Sequence, residues 1–136
     1  MGVLFKNADI TIYNEYYDIA SGYDKYQRTV IEGVDWQGKR NATVTDKGLL
    51  LADSVLVILD KLDNYISPKK FKKLSNVDRI DYFTLSVGDK IVKGESDFEI
   101  TGVKPNSIAD LESNFDDVVN IISVTHCSNH FEVEGK

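Results

Sequence analysis

The sequence is poor in cysteine, in proline and in long apolar runs. It contains one cysteine and two prolines among 136 residues. Because Cys127 has no partner in the sequence, no intrachain disulfide forms, which is consistent with a reducing compartment. The apolar run from Leu49 to Leu59 is interrupted by Asp53 and Ser54, so it falls short of the roughly 20 residues of a membrane-spanning helix.

A secretory signal is also not recognisable, because the apolar run at 3–5 is too short and lacks a cleavage region. We therefore expect a soluble cytoplasmic protein. The net charge of −6 argues against general DNA or RNA binding, which needs a positive field. The local exception is a run of four lysines in five positions: Lys69, Lys70, Lys72 and Lys73. On an acidic chain this run makes the molecule dipolar, which suits charge-complementary assembly.

Short strands separated by turns predict one mainly β domain over residues 1–136. Alternating and β-branched residues predict strands at 8–13, 26–36, 42–45 and 118–125. The unbroken apolar run at 54–59 predicts a strand with both faces covered, and shorter strands are predicted at 83–85, 90–92, 98–103 and 130–133. Gly33 interrupts the second strand, which indicates a bulge. The spacing favours a small β-barrel or compact sandwich.

One or two brief helices are expected to decorate this domain. Ser67 and Pro68 are typical of a helix start, predicting short external helices within an excursion from the sheet at about 64–82. Ser107 and Asp110 resemble a capping box, which predicts a short helix that ends near Phe115.

The segment Gly88-Asp89 raises the possibility of a phosphate-binding turn. It lacks the spaced glycines and the Lys-Ser/Thr of a P-loop, and no helix follows it. We interpret it as a hairpin turn that connects Leu85 with Ile91.

His126, Cys127 and His130 form the one cluster with metal-ligating or nucleophilic chemistry. Imidazole and thiolate bind zinc, and a Cys–His pair can act as a nucleophile with its base. However, no CxxC and no second His/Cys pair completes a closed site, and neighbours on a strand point to opposite faces. We interpret the cluster as an ordinary turn and expect no catalytic residue, metal ligand or cofactor. A small metal-dependent hydrolase that uses these three residues is the alternative.

The acidic residues at 110–117 do not match the spacing of a calcium loop. They indicate a solvated acidic surface. The lysine run has only Phe71 as an interleaved aromatic residue, so it does not indicate a nucleic-acid stacking platform. We predict instead that the two charged sets contact other proteins: Lys69, Lys70, Lys72, Lys73, Asp110, Glu112, Asp116 and Asp117.

The order of three sequence features resembles that of a known group of proteins. These are the strand at 10–13, the tryptophan-bearing segment at 30–36, and a "GD-x-I-xx-G … E-I-x-x-V" pattern at 88–94 and 99–103. This order is similar to that of the small neck proteins of tailed phages and prophages, of the head-closure or head–tail joining type. The final third, at 108–124 with the ending at 130–136, resembles an uncharacterised family of Gram-positive prophage proteins.

The resemblance implies a mechanical role. Several copies are expected to form a ring beneath the portal connector, with portal and tail components as partners, in the host bacterial cytoplasm during assembly and then in the virion. It implies no membrane and no sequence-specific nucleic acid, and it allows a monomer in isolation. The alternatives are a tail-completion or tail-terminator protein, or a cytoplasmic ligand-binding barrel, which would need a deep apolar cavity.

Overall fold

A computed structural model of the protein describes residues 6–18, 20–38, 42–45, 48–51, 54–101 and 106–136. The strands are β1 Ala8–Asp18, β2 Tyr23–Gly38, β3 Ala42–Thr45, β4 Gly48–Leu51, β5 Val55–Asp60, β6 Lys90–Lys93, β7 Val118–His126 and β8 His130–Gly135. The helices are α1 Pro68–Lys73, α2 Asn76–Arg79 and α3 Ile108–Asn114.

Six of the strands close a barrel in the order β1-β2-β5-β8-β7-β6, and all neighbours are antiparallel. β3 and β4 pair with each other as a separate two-stranded sheet. The prediction of a mainly β protein with short helices is confirmed, and its architecture is a barrel. None of the helices described is long and apolar enough to cross a membrane.

The barrel interior is filled by alternate residues of its strands. Ile10 and Ile12 of β1 are fully buried, as are Val57 and Leu59 of β5. The prediction that β5 is buried on both faces was wrong, because the intervening Ile58 is only half-buried. In this antiparallel barrel one face of each strand meets the core and the other faces outward.

The bulge at Gly33 is confirmed. Ala8 pairs with Val34 while Ile10 pairs with Ile31, so β2 has one extra residue between these pairs. Gly33 has φ +72°, a left-handed conformation that glycine adopts without a Cβ penalty. Its N–H donates to Asp9 at 2.9 Å. The bulge bends the long β2 where the barrel must turn.

Two predicted strands are absent from the described residues. At 83–85 the structure has a single parallel bridge between Tyr65 and Phe83. Residues 98–101 form no strand, and 102–105 lie outside the described residues. The Tyr13 hydroxyl donates to the Phe98 carbonyl at 2.7 Å, so a side chain satisfies a group that a strand would have paired. Conversely, β4 was not predicted, and β2 Tyr23–Gly38 is longer at both ends than the predicted strand at 26–36.

The three helices confirm the predicted positions, with corrections to their details. The Ser107–Asp110 capping box is present, while Ser67 makes no side-chain cap and Ser75 caps α2 instead. The prediction that the helices of the excursion are external needs correction, because Phe71 and Arg79 are buried.

The predicted hairpin between Leu85 and Ile91 was wrong. A turn is present, with Gly88 at φ +96° and Asp89 N–H donating to Ser86 at 3.0 Å. The Gly88 N–H donates to the Ile121 carbonyl at 2.9 Å, so the turn docks on β7 instead of pairing two strands with each other.

Candidate functional site

The predicted basic segment lies on α1, at one end of the barrel. All four lysines are exposed and none takes part in the ion pairs found among the described residues. Lys72, Lys73 and Tyr17 line a groove of about 390 Å³ between α1 and the β1–β2 hairpin. Phe71, fully buried, anchors α1 beneath them.

Arg79 holds this end of the molecule together. Its guanidinium donates to the carbonyl of Phe71 at 3.0 Å, to that of Lys72 at 3.5 Å and also to that of Leu74. The same group lies over the Tyr16 ring, 4.3 Å from its centroid. Buried charge is tolerated when it is satisfied in this way. The sequence analysis missed Arg79, because the carbonyls that surround it come together only in the folded excursion.

Apolar side chains are also exposed on α2, directly after α2 and on β1. Val77 is 78% exposed and Ile80, three positions later, is 73% exposed; Tyr17 is 59% exposed. Ile80 also lines a second groove, of about 320 Å³, with Tyr16. We call Tyr17, Lys72, Lys73, Val77 and Ile80 the basic–apolar face. Exposed apolar surface next to exposed charge is typical of protein-contact surfaces.

The predicted acidic residues have different environments. Glu112, Asp116 and Asp117 are exposed. Asp110 is not available to a partner in the same way, because its carboxylate accepts from the Ser107 N–H at 3.0 Å and from the Ser107 hydroxyl at 2.8 Å.

Asp116 and Asp117, which we call the acidic end, line an open depression of about 700 Å³ together with Lys93 and Lys136. No ion pair among the described residues joins these charges. The Lys93 ammonium lies over the Trp36 ring at 5.8 Å instead.

The basic–apolar face and the acidic end lie at opposite ends of β1. The Asp117 carbonyl accepts from the Lys93 N–H at 2.9 Å, and Lys93 pairs with Ile10. Tyr17 lies seven residues further along β1, which corresponds to about 23 Å of strand. Lys72 and Lys73 therefore lie beyond the other end of β1 from Asp116 and Asp117.

A buried carboxylate lies between the excursion and β1. Asp89 accepts from the Asn14 amide at 2.8 Å and from the Glu15 N–H at 3.1 Å. Burial raises the pKa of Asp89 to about 6, outweighing these hydrogen bonds, which lower the pKa. Asn14 also donates to the Thr84 carbonyl at 2.7 Å. The hydrogen bonds of this network therefore join parts of the fold to one another.

The His/Cys cluster forms differently from the way the sequence suggested. The Cys127 thiol donates to Glu132 Oε2 at 3.2 Å, and His130 Nε2 lies 3.1 Å from the same oxygen. The hydrogen bond to Glu132 raises the pKa of the Cys127 thiol, and burial raises it further. His126 does not join them, since its ring packs edge-on against Phe131, with centroids 4.9 Å apart. Cys127, His130 and Glu132 are thus the group that converges.

Glu132 is the residue that sequence reasoning missed. Its signal was available: His130 and Glu132 are two positions apart on a predicted strand, so their side chains share a face.

Fold and surface together define a small antiparallel β-barrel protein that carries exposed charged and apolar faces on its helical additions. The chain belongs to a family of unknown function, DUF6751, whose model matches residues 5–136. No curated protein matches the chain, and no solved structure matches it.

Proposed function

We propose that this protein is a non-catalytic assembly subunit of a phage or prophage virion, which joins a ring at the head–tail neck. The observation that carries this proposal is the separation of the basic–apolar face from the acidic end by about 23 Å of strand. Each charged set is exposed and makes no ion pair within the described part of the chain. The resemblance to phage neck proteins supplies the setting.

Charges that cannot meet within one chain can meet between copies. A contact of the basic–apolar face of one copy with the acidic end of the next is heterologous, and such contacts form a ring when their rotation closes. Lys72 and Lys73 would face Asp116 and Asp117 across that contact. Val77 and Ile80 add apolar area, and the opposite charges set the orientation and speed the encounter.

Closure of the barrel favours contacts between copies that are made through side chains rather than through pairing of strand edges. Each barrel strand pairs with a neighbour on both sides over at least part of its length, which leaves less strand edge exposed than in an open sheet. Among the described residues only the β3–β4 pair stands outside the barrel. The helices and hairpins that project from the barrel are therefore the parts that reach a neighbour.

Electron microscopy of purified portal assemblies mixed with the protein tests this proposal. The native chain is expected to add a ring at the narrow end of the portal. A chain with Lys69, Lys70, Lys72 and Lys73 all changed to Glu is expected to lose that ring while its melting temperature stays close to the native value. The matched control changes the same four residues to Arg, which keeps the charge and should keep the ring.

Two results would overturn the proposal in different ways. Capping of tail tubes with no ring on portals would assign the protein to the tail as a completion or terminator protein. Binding to neither assembly, or normal ring formation by the four-Glu chain, would remove the charge-based assembly role.

A further inference from the structure

The β7–β8 hairpin brings together one sulfur, one nitrogen and one oxygen that can bind a metal. The ligand atoms of Cys127, His130 and Glu132 all lie within 4.8 Å of one another. Glu132 Oε2 is 3.2 Å from Cys127 Sγ and 3.1 Å from His130 Nε2. In a tetrahedral zinc site with bonds of about 2.0–2.3 Å, neighbouring ligand atoms are about 3.3–3.5 Å apart. Two of the three separations therefore already approach those of a zinc tetrahedron.

We propose that this hairpin binds one Zn²⁺ through Cys127 Sγ, His130 Nε2 and a Glu132 carboxylate oxygen, with water as the fourth ligand. A set that mixes thiolate, imidazole and carboxylate favours zinc over Ca²⁺ and Mg²⁺, which prefer oxygen alone. On binding, the S–H bond of Cys127 breaks, an S–Zn bond forms and the proton goes to solvent. The chain needs no redox partner for this step.

The surroundings of His130 orient it for this role. Its Nδ1 lies 2.9 Å from Asn129 Oδ1. An N–H donated from Nδ1 to that oxygen leaves the Nε2 lone pair free for a metal, which is the usual arrangement for a histidine ligand. Nε2 is also the nitrogen that lies 3.1 Å from Glu132 Oε2, so its lone pair points toward an ion that the carboxylate could share.

The hairpin backbone fixes the positions of the three ligand residues, and their side chains remain partly exposed to solvent. The Cys127 N–H donates to the His130 carbonyl at 3.0 Å and closes the turn. Phe131 and Val133 are buried on the opposite face of β8. The side chains of His130 and Glu132 keep 25% and 38% of their exposure, so an ion can enter from solvent.

Metal titration of the reduced, metal-free full chain tests the site, with Co²⁺ as the spectroscopic probe. We expect one equivalent of Co²⁺ to bind with a thiolate-to-cobalt charge-transfer band in the near ultraviolet, and one equivalent of Zn²⁺ to displace it. Calorimetry in buffers of different ionisation enthalpy should report about one proton released from Cys127. Cys127→Ser should remove the band, and Glu132→Gln should weaken binding about tenfold or more.

His126→Ala is the matched control, because His126 lies in the same hairpin but outside the converging group. It should bind Co²⁺ as the native chain does, while His130→Ala should lose most of the affinity. Alkylation of Cys127 in the folded native chain should remove the band without any substitution, which separates ligand loss from misfolding. Absence of the thiolate band, or equal losses in His126→Ala and His130→Ala, would overturn the proposal.

Discussion

The barrel wall and the excursion at 64–82 hold their shapes by different means. The wall is built on an apolar core in which side chains such as Ile12, Val57 and Val133 are fully buried. The excursion has little apolar burial of its own and depends on Phe71 and on the carbonyl contacts of Arg79. Regions with few buried apolar contacts open at lower free energy than the core. The surface proposed for assembly therefore lies on the less stable part of the molecule.

Polar side chains from the wall connect the two regions. The Gln27 amide of β2 donates to the Arg79 carbonyl at 2.9 Å and to the Tyr82 carbonyl at 2.7 Å. On β1, Asn14 accepts from the Thr84 N–H at 3.2 Å as well as donating to its carbonyl. The excursion is thus positioned by directional hydrogen bonds from a rigid support.

Phe83→Ala should give the largest effect, because Phe83 is where the chain of the excursion rejoins the barrel core. Its fully buried ring lies 5.7 Å from that of Tyr65. We expect the free energy of unfolding, measured by urea denaturation, to fall by about 3–5 kcal/mol. Val77→Ala, at an exposed position, should change it by about 0.5 kcal/mol or less. Equal effects of the two changes would contradict the assignment of Phe83 to the core.

Asp89 should make the junction between wall and excursion sensitive to pH. Its pKa is about 6 in the folded chain against the ordinary aspartate value of 3.8, so the folded state holds the proton more tightly. The stabilisation from the protonated form is present below about pH 4 and is lost as the pH rises through about 6.

We expect the stability of the native chain relative to Asp89→Asn to fall by about 2–3 kcal/mol between pH 4 and pH 7. Urea denaturation of both chains across this range measures the difference, which cancels the titration of other groups. A difference that stays constant or increases with pH would contradict the burial argument.

Arg79→Met should loosen the excursion and leave the wall closed. Methionine keeps much of the apolar stem but leaves carbonyls such as that of Phe71 without their donor, which costs about 2 kcal/mol. Hydrogen exchange should accelerate at 64–82 and stay slow in the barrel strands. Lys70→Met, at an exposed position on the same excursion, is the control and should leave both regions unchanged. Faster exchange throughout the barrel would show that the two regions are one cooperative unit.

Gly33→Ala should give the smallest effect, confined to the wall. At φ +72° the left-handed conformation costs an alanine about 1–2 kcal/mol of folding free energy. Gly38→Ala is the matched control on the same strand, because nothing lies within 4 Å of its added Cβ. Equal melting temperatures for the two variants would argue against strain at the bulge.

The features that the sequence predicted are those decided by local pattern. Alternation located most barrel strands, Gly33 marked the bulge, and Ser107 with Asp110 marked the start of α3. The features that it missed depend on tertiary register. Residues 98–101 carry strand-like residues but are held by the Tyr13 side chain, and the burial of Arg79 requires carbonyls from residues that precede it in the excursion.

The same distinction between local pattern and tertiary arrangement applies to the candidate sites. Composition alone identified the lysine run and the acidic residues, but the placement of Lys72 and Lys73 at the opposite end of β1 from Asp116 and Asp117 follows from the barrel topology. The convergence of Cys127 with Glu132 instead of His126 follows from the pairing of β7 with β8, in which His126 lies opposite Phe131.

Head-to-tail pairing between the basic–apolar face and the acidic end is tested most directly by a charge-swap series imaged on portal assemblies. Lys72→Glu/Lys73→Glu alone and Asp116→Lys/Asp117→Lys alone should each abolish the ring, because each places like charges across the contact. The chain that carries all four changes restores opposite charges, and it should form the ring again. Rings from either two-residue variant, or no ring from the four-residue variant, would contradict the pairing.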